Sequence, residues 1–228
     1  MIGIIGAMKI EVETIRSMLE NKEERQIGNV LYVKGLLRGR EVVTAECGIG
    51  KVAAAICAQA MIMEYAPECI INTGVGGSLC DELDVCDAVI GERLVQHDMD
   101  TTPLGDPPGY ISGLGIVEIP ADKEVCDKLK TAAEKAGINK VIKGKIASGD
   151  QFIAGSEQKD FIKNTFGAQC CEMEGAAIAQ TCFSAGVPFA VLRTVSDKAD
   201  GSSHVEYSEF LPAAADLAAK TIINFCEG

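Results

Sequence analysis

The sequence predicts an α/β fold: a single three-layer α/β/α domain with a mixed, mostly parallel central sheet. Short apolar segments alternate with amphipathic or alanine-rich segments along almost the whole chain, which is typical of this class. Hydrophobic residues make up 47% of the 228 residues, aromatics only 5%, and Trp is absent, so we expect an aliphatic core. No Pro-, Gly- and Ser-rich linker divides the chain, and we therefore expect one domain covering residues 1–228.

Apolar runs and breakers define the elements of the first half. "MIGIIGA" predicts a short buried strand ending at Gly6, and "KIEVETIRSMLENK" has apolar residues near helical spacing. "NVLYVKGLLRGREVVTAECGIG" predicts a hairpin that turns at Arg38 and Gly39. "KVAAAICAQAMIMEYA" is typical of a helix, and "ECIINTGVGG" predicts a buried strand that runs into a glycine-rich loop.

The second half continues the alternation. "DAVIGERLVQHD" predicts a strand, followed by a long Pro/Gly loop over residues 98–115 of a length that is often functional. "DKEVCDKLKTAAEKAG" predicts a helix with Asp122 as N-cap, and "KVIKGKIASGDQFI" a strand that stops at Ser148. The remaining predicted elements are the helix "SEQKDFIKNTF", the strand end "AQCCEMEG", the helix "AAIAQTCFSAG", the strand "PFAVLRTVSD" and the C-terminal helix "SEFLPAAADLAAKTIINF".

The composition argues against several classes of function. The net charge is −12 and no stripe of Lys and Arg stands out, so we expect no nucleic-acid binding. No apolar run approaches the roughly 20 residues of a membrane span, and "MIGIIGAM" lacks the features of a signal peptide. The ten cysteines suit a reducing cytoplasm, and the absence of CxxC together with only two histidines predicts no metal site. We expect no cofactor.

Four predicted strand ends carry unusual residues, in the sequences "MKIE", "TGVGG", "EME" and "RTVSD". In α/β sheets ligands bind at the carboxyl ends of strands, so these residues should meet at one edge of the sheet. Each has a plainer interpretation taken alone. Glu11 and Glu174 could be acids in the first turn of a helix, and Asp197 could cap a turn.

Two chemistries fit several acids at one sheet edge. Glycosidic cleavage needs an acid for the leaving group and a base for water, around an oxocarbenium-like transition state. Phosphorolysis replaces water by phosphate and needs several positive groups. Near the predicted edge only Arg193 and Lys9 are cationic, and this scarcity favours water.

Several motifs, read together, resemble one family. The chain resembles the 5′-methylthioadenosine/S-adenosylhomocysteine nucleosidases of the nucleoside phosphorylase superfamily, collinearly from Met1 to about Phe225. The motifs are "GIIGAMKIEVETI", "GIGKVAAA", "IINTGVGGSL", "SGDQFI", "EMEGAAIA", "RTVSDKAD" and "HVEYSEF". The resemblance implies a homodimer without metal that hydrolyses the N-glycosidic bond of 5′-thioadenosines to adenine and a thioribose.

The resemblance also implies residue roles. Glu11 would activate water, and Asp197 would protonate adenine N7. Glu174 would bind the ribose 2′- and 3′-hydroxyls. The expected substrate contacts are Phe152 stacking on adenine, the Ile153 backbone at its Watson–Crick edge, Met173 against the sugar, Ser196 positioning Asp197 with Arg193 close by, Glu172 in the sugar and water network, and Met8, Val75, Gly76 and Tyr207 elsewhere in the pocket.

Three departures from the family leave the substrate open. Val75 stands where a serine occurs in well-known members, and Tyr207 stands where Phe is expected near the 5′ substituent. Residues 98–115 lack the usual aromatic residues, so Leu104, Pro107 or Pro108 could close the pocket of a partner subunit. Methylthioadenosine, S-adenosylhomocysteine, 5′-deoxyadenosine and aminofutalosine remain possible substrates. A phosphate-dependent purine nucleoside phosphorylase and a non-catalytic nucleoside-binding protein remain alternatives.

Overall fold

The computed structural model describes residues 1–200 and 203–227, except for the side chain at position 204. The strands are β1 (Ile2–Gly6), β2 (Glu20–Ile27), β3 (Val30–Leu37), β4 (Arg40–Glu46), β5 (Cys69–Ser78), β6 (Ala88–Gln96), β7 (Ile119–Pro120), β8 (Val141–Ser148), β9 (Cys170–Glu172) and β10 (Phe189–Asp197). The α-helices are α1 (Lys9–Ser17), α2 (Lys51–Tyr65), α3 (Lys123–Lys135), α4 (Ser156–Phe166), α5 (Gly175–Ala185) and α6 (Ser203–Glu227).

All of these strands belong to one mixed sheet. Its order is β10-β6-β8-β9-β5-β1-β4-β3-β2, with β7 beside β6. Strand β5 also pairs with β10, so β5, β10, β6, β8 and β9 form a closed ring. The predicted mixed sheet is confirmed. Among the described strands, however, five pairs are parallel and five antiparallel, so parallel pairs do not predominate.

Helices cover both faces of the sheet, which confirms the layered α/β prediction. On one face, α2 and α5 contribute buried alanine and cysteine side chains to a core that includes Ile5 and Ile70. On the other face, α1, α3 and α6 pack against Ile4 and Ile71.

The sequence prediction was wrong at two places in the first half. The helix after β1 ends at Ser17 instead of running to Lys22, and Glu20–Ile27 form β2. This strand is exposed along almost its whole length and pairs only with β3, so it has no alternating apolar pattern. The segment "TGVGG" is also not a loop, because β5 continues through it and is buried at every residue.

The remaining differences are local. The two-residue strand β7 was not predicted, and α6 begins at Ser203, before the predicted start, with Pro212 inside it. The 98–115 loop was predicted correctly and contains one 3₁₀ turn, Thr102–Leu104. The predicted Asp122 cap of α3 is confirmed, since its side chain accepts a hydrogen bond from the Val125 amide. Within the described residues, no helix combines the length and apolarity that crossing a bilayer would require.

Candidate active site

The carboxyl ends of β1, β5 and β10 lie side by side, because these strands pair in parallel. Together with β9 and the first turns of α1 and α5, they line a cavity at this edge of the sheet. The lining residues are Ala7, Met8, Glu11, Ile49, Val75, Gly76, Gly77, Gln151, Phe152, Ile153, Cys171, Glu172, Met173, Glu174, Ser196, Asp197 and Tyr207.

The sequence-predicted site residues converge here. Twelve of the thirteen line the cavity, and the exception, Arg193, lies fully buried beside it. The plainer interpretations hold in part, since Glu11 accepts a hydrogen bond from the N-cap amide of α1 and Asp197 accepts one in the turn that follows β10, but these acids are not solvated. Glu11 is only 3% exposed although it lies in the first turn of a helix, and Glu174 and Asp197 are also buried.

Glu11 is held by backbone amides. Its Oε2 accepts hydrogen bonds from the amides of Ala7 (2.7 Å) and Met8 (2.9 Å), and its Oε1 accepts one from the Val75 amide (3.1 Å). Its carboxylate lies against Gly74, where an added Cβ would come within 2.4 Å of Oε1. Burial raises the pKa of Glu11, although Arg193 and the three amides oppose the rise. A carboxylate of this kind can accept a proton near neutral pH.

Asp197 is the last residue of β10. The Ser196 hydroxyl donates to its Oδ2 (2.8 Å), and the Ala199 amide donates to its Oδ1 (2.9 Å). Burial raises the pKa of Asp197, and hydrogen bonds from Ala199, Ser196 and Ser203 limit the rise. An acid whose pKa is raised by burial keeps its proton closer to neutral pH and can deliver it to a leaving group.

Glu174 precedes the first residue of α5 and faces the same cavity. Its Oε1 accepts a hydrogen bond from the Gly50 amide (2.9 Å), and its Oε2 lies 3.5 Å from Arg193 Nη2. Burial, followed by the neighbouring Glu172 carboxylate, raises the pKa of Glu174 to about 7. Gly50 has φ of 100°, a backbone conformation that favours glycine, so the amide that meets Glu174 depends on this residue.

Arg193 and Glu172 form a buried ion pair beneath the cavity. Arg193 Nη2 donates to Glu172 Oε2 and to Asn72 Oδ1 (2.7 Å), while Nη1 donates to the Leu192 carbonyl (3.0 Å). Burial opposes the charge on Arg193, but the surrounding carboxylates outweigh it and raise its pKa. The partner of Glu172, which no sequence pattern identified, is therefore this guanidinium.

The apolar wall of the cavity is aromatic at its mouth. Phe152 is 48% exposed, and its ring meets Tyr207 edge to face with centroids 5.5 Å apart. The Tyr207 hydroxyl donates to Met8 Sδ at 3.3 Å. An exposed ring at the mouth of a cavity offers a stacking surface for a planar ligand.

Sequence reasoning missed several residues of the site. Ile49 and Gln151 line the cavity, and Ser148 and Asn72 hold the buried ion pair without lining it. The available signals were weak: Ser148 ends a predicted strand, and Ile49 lies within "GIGKVAAA". Within the described residues, no group of three or more His, Cys, Asp or Glu side chains is arranged to hold a metal ion.

Comparison with known proteins gives a consistent result. The model of the phosphorylase superfamily matches residues 1–227. The 5′-methylthioadenosine/S-adenosylhomocysteine nucleosidase of Shewanella halifaxensis is 40% identical over 97% of this chain and 96% of its own length. The crystal structure of the Neisseria meningitidis nucleosidase of that name, in complex with methylthio-immucillin-A, has a TM-score of 0.95 and 37% identity, covering 99% of this chain and 98% of that one. The futalosine hydrolase of Helicobacter pylori has a TM-score of 0.93 and 34% identity, covering 98% and 96%.

Proposed function

The chain belongs to the phosphorylase superfamily and, within it, to the 5′-methylthioadenosine/S-adenosylhomocysteine nucleosidases, and on this premise we propose that it hydrolyses the N-glycosidic bond of these two nucleosides. The products are adenine and the corresponding 5-thioribose. The protein is an N-ribosyl hydrolase, and 5′-deoxyadenosine is a further candidate substrate because it differs only at the 5′ position.

Two different carboxyl groups act on the leaving group and on the nucleophile. Asp197 protonates adenine N7, which makes adenine a good leaving group, and its raised pKa keeps the required proton available. Glu11 takes a proton from the attacking water. A carboxylate offers about four lone-pair positions, and three on Glu11 are used by amides, so one remains for water.

The ribose binds at Glu174. Gly50 donates one close hydrogen bond to this carboxylate, which leaves positions free for the 2′- and 3′-hydroxyls. The ribose carries positive charge in the transition state, and the carboxylates around it stabilise that charge more than they stabilise the ground state. Met173 packs against the sugar, and Phe152 stacks on adenine while the Ile153 backbone meets its Watson–Crick edge. Met8, Val75, Gly76 and Tyr207 complete the pocket, with Tyr207 and Met8 beside the 5′ substituent.

The charge of the cavity is the observation that favours hydrolysis over phosphorolysis. Four acidic side chains line it, and none of its described lining residues is Lys, Arg or His. The neighbouring Arg193 is already engaged by Glu172, Asn72 and the Leu192 carbonyl. A phosphate dianion would meet uncompensated carboxylates here, whereas a neutral water would not.

The test is adenine release from methylthioadenosine in phosphate-free buffer. We expect turnover that added phosphate does not increase, with free thioribose as the second product. A strict requirement for phosphate and a 5-methylthioribose 1-phosphate product would identify a phosphorylase instead. Tight binding without turnover would identify a nucleoside-binding protein. Adding S-adenosylhomocysteine, 5′-deoxyadenosine and aminofutalosine to the same assay ranks the 5′ substituents.

The chain also carries a surface that suits a homodimer. On α2, Val52, Ile56 and Met63 are 70%, 59% and 75% exposed, and their spacing places them on one side of the helix. An exposed apolar stripe of this kind is typical of an interface. We expect a dimer in sedimentation at micromolar concentration and a shift to monomer in Ile56→Asp. A wild-type monomer would contradict this proposal.

Two further assignments follow from the same premise. The family match over residues 1–227 supports one catalytic domain covering residues 1–228, for which we expect a single unfolding transition.

The ten cysteines are all free, and eight of them are buried, which supports a reducing cytoplasmic location. Cell fractionation tests this location, and recovery of the protein outside the cytoplasm would contradict it.

A further inference from the structure

We propose that Glu172 acts with Ser148 as a positioning residue, which fixes Glu174 and Arg193 in place and does not itself bind the nucleoside. This inference rests on the proposed function, because it assigns Glu172 a role in recognising ribose through Glu174. The observations that support this inference are the hydrogen bonds of the buried Glu172 carboxylate.

Both oxygens of the Glu172 carboxylate accept hydrogen bonds from the protein. Its Oε1 accepts a hydrogen bond from the Ser148 hydroxyl. Its Oε2 accepts bonds from the amides of Glu174 (3.1 Å) and Gly175 (2.7 Å) and from Arg193 Nη2. Three donors use the two lone-pair positions of Oε2 completely, and the Ser148 hydroxyl uses one of the two positions of Oε1. Four protein donors therefore hold this carboxylate in place.

The other site carboxylate of the same segment has fewer protein donors. Glu174 has one close amide donor, from Gly50, and a more distant contact with Arg193 at 3.5 Å. Both glutamates line the cavity, but Glu174 has fewer protein donors and so more acceptor positions left for substrate. The two residues therefore have different tasks although they are separated by a single methionine.

The bonds of Glu172 determine where Glu174 lies. Two of its donors are the amides of Glu174 and Gly175, which begin the first turn of α5, and a third is the guanidinium that approaches the Glu174 carboxylate. The approach is close: a Cβ on Gly175 would come within 3.1 and 3.2 Å of the Glu172 oxygens. Ser148 completes the arrangement, since its hydroxyl donates to Glu172 and accepts from the Ala176 amide (2.7 Å).

The experiment compares 5′-methylthioadenosine with its 2′-deoxy analogue. For each variant, the ratio of the two kcat/KM values measures how well the enzyme recognises the 2′-hydroxyl, and the intrinsic reactivity of the two substrates cancels between variants. Glu172→Gln keeps the shape and most hydrogen bonds but removes the charge. We expect it to lower the ratio by about tenfold, the order of magnitude of one hydrogen bond to a charged group.

Ser148→Ala should lower the ratio less, by about threefold, because it removes one of the four bonds. It is also the second variant if Glu172→Gln fails to fold. Thr221→Val is the matched control: it removes a fully buried hydroxyl of α6 that does not line the cavity, and the ratio should stay at the wild-type value.

A double mutant separates positioning from direct binding. If Glu172 acts through Glu174, then Glu172→Gln should not change the ratio further in a Glu174→Gln background. Additive losses would mean that Glu172 binds the sugar itself and would overturn the proposal. An unchanged ratio in Glu172→Gln, with both substrates slowed equally or not at all, would also overturn it. A wild-type protein that releases adenine from neither substrate would overturn the hydrolase function, which is a distinguishable result.

Discussion

Gly74→Ala tests the role of Glu11 without removing its carboxylate. A Cβ at position 74 would lie 2.4 Å from Glu11 Oε1, 2.9 Å from Cδ and 3.3 Å from Oε2. Carbon and oxygen do not approach so closely, so the carboxylate must retreat by about 1 Å. Retreat stretches its amide bonds from Ala7, Met8 and Val75, which measure 2.7, 2.9 and 3.1 Å.

The displacement should act on turnover more than on binding. A misplacement of about 1 Å in a group that activates the nucleophile typically lowers the rate by about 10²-fold. Overpacking of the strand costs about 1–3 kcal/mol of stability in addition, so the Tm falls by several degrees. The assay is kcat for methylthioadenosine in phosphate-free buffer, measured beside the dissociation constant of adenine, which we expect to stay within about threefold because adenine does not need the attacking water.

Gly3→Ala provides the control for overpacking alone. Its Cβ would come within 2.5 Å of Met61 Sδ, a similar conflict, but with a flexible side chain that does not line the cavity. We expect a comparable loss of Tm and a kcat within about twofold of wild type. If Gly74→Ala retains as much activity as Gly3→Ala, the position of Glu11 does not limit the reaction and the reasoning fails.

Two further predictions concern the other acids. Asp197→Asn should lower kcat for methylthioadenosine by about 10²-fold or more while adenine still binds, because the amide cannot deliver a proton. Adenine release measures the loss of turnover, and equilibrium dialysis measures adenine binding. Near-normal turnover would mean that Asp197 is not the acid. Glu174→Gln should gain stability relative to wild type as pH rises. The raised pKa of Glu174, from 4.5 to about 7, gives the folded wild type a contribution that is complete below pH 4.5 and lost as pH rises through about 7. The free energy of unfolding of the variant minus that of wild type should thus increase between pH 5 and pH 8, by at most about 3 kcal/mol. The two Tm values measured across this pH range follow the change, and a difference that stays flat would contradict the raised pKa.

The layered fold and the position of the candidate site followed from sequence because both depend on local patterns. Apolar runs identified the buried strands, and polar residues after them identified the edge where strand ends meet. Strand β2 was missed for the same reason. It buries almost nothing and pairs only with β3, so charged residues are tolerated along it. It also contains Asn21 with a φ of 53°, which is unusual for a strand.

The glycines of β5 illustrate what a single sequence cannot reveal. Gly74 and Gly76 were interpreted as a loop because glycine usually breaks a strand. They lie inside a buried strand because distant side chains occupy the space of their missing Cβ atoms, Glu11 against Gly74 and Cys170 against Gly76. The partners of Glu172 were hidden for the same reason, since Ser148 and Arg193 are more than 20 residues away along the chain.

The electrostatics of the site link its stability to its chemistry. Glu11, Glu172 and Glu174 surround one guanidinium, that of Arg193, so the group carries more negative than positive charge in a buried place. Burial raises the pKa of both Glu11 and Glu174, and this cost lowers stability at neutral pH. The same excess of carboxylate favours a sugar that becomes positive and disfavours phosphate. Replacing Glu174 by a neutral residue would therefore relieve the cost and, for the same physical reason, remove the stabilisation of the transition state.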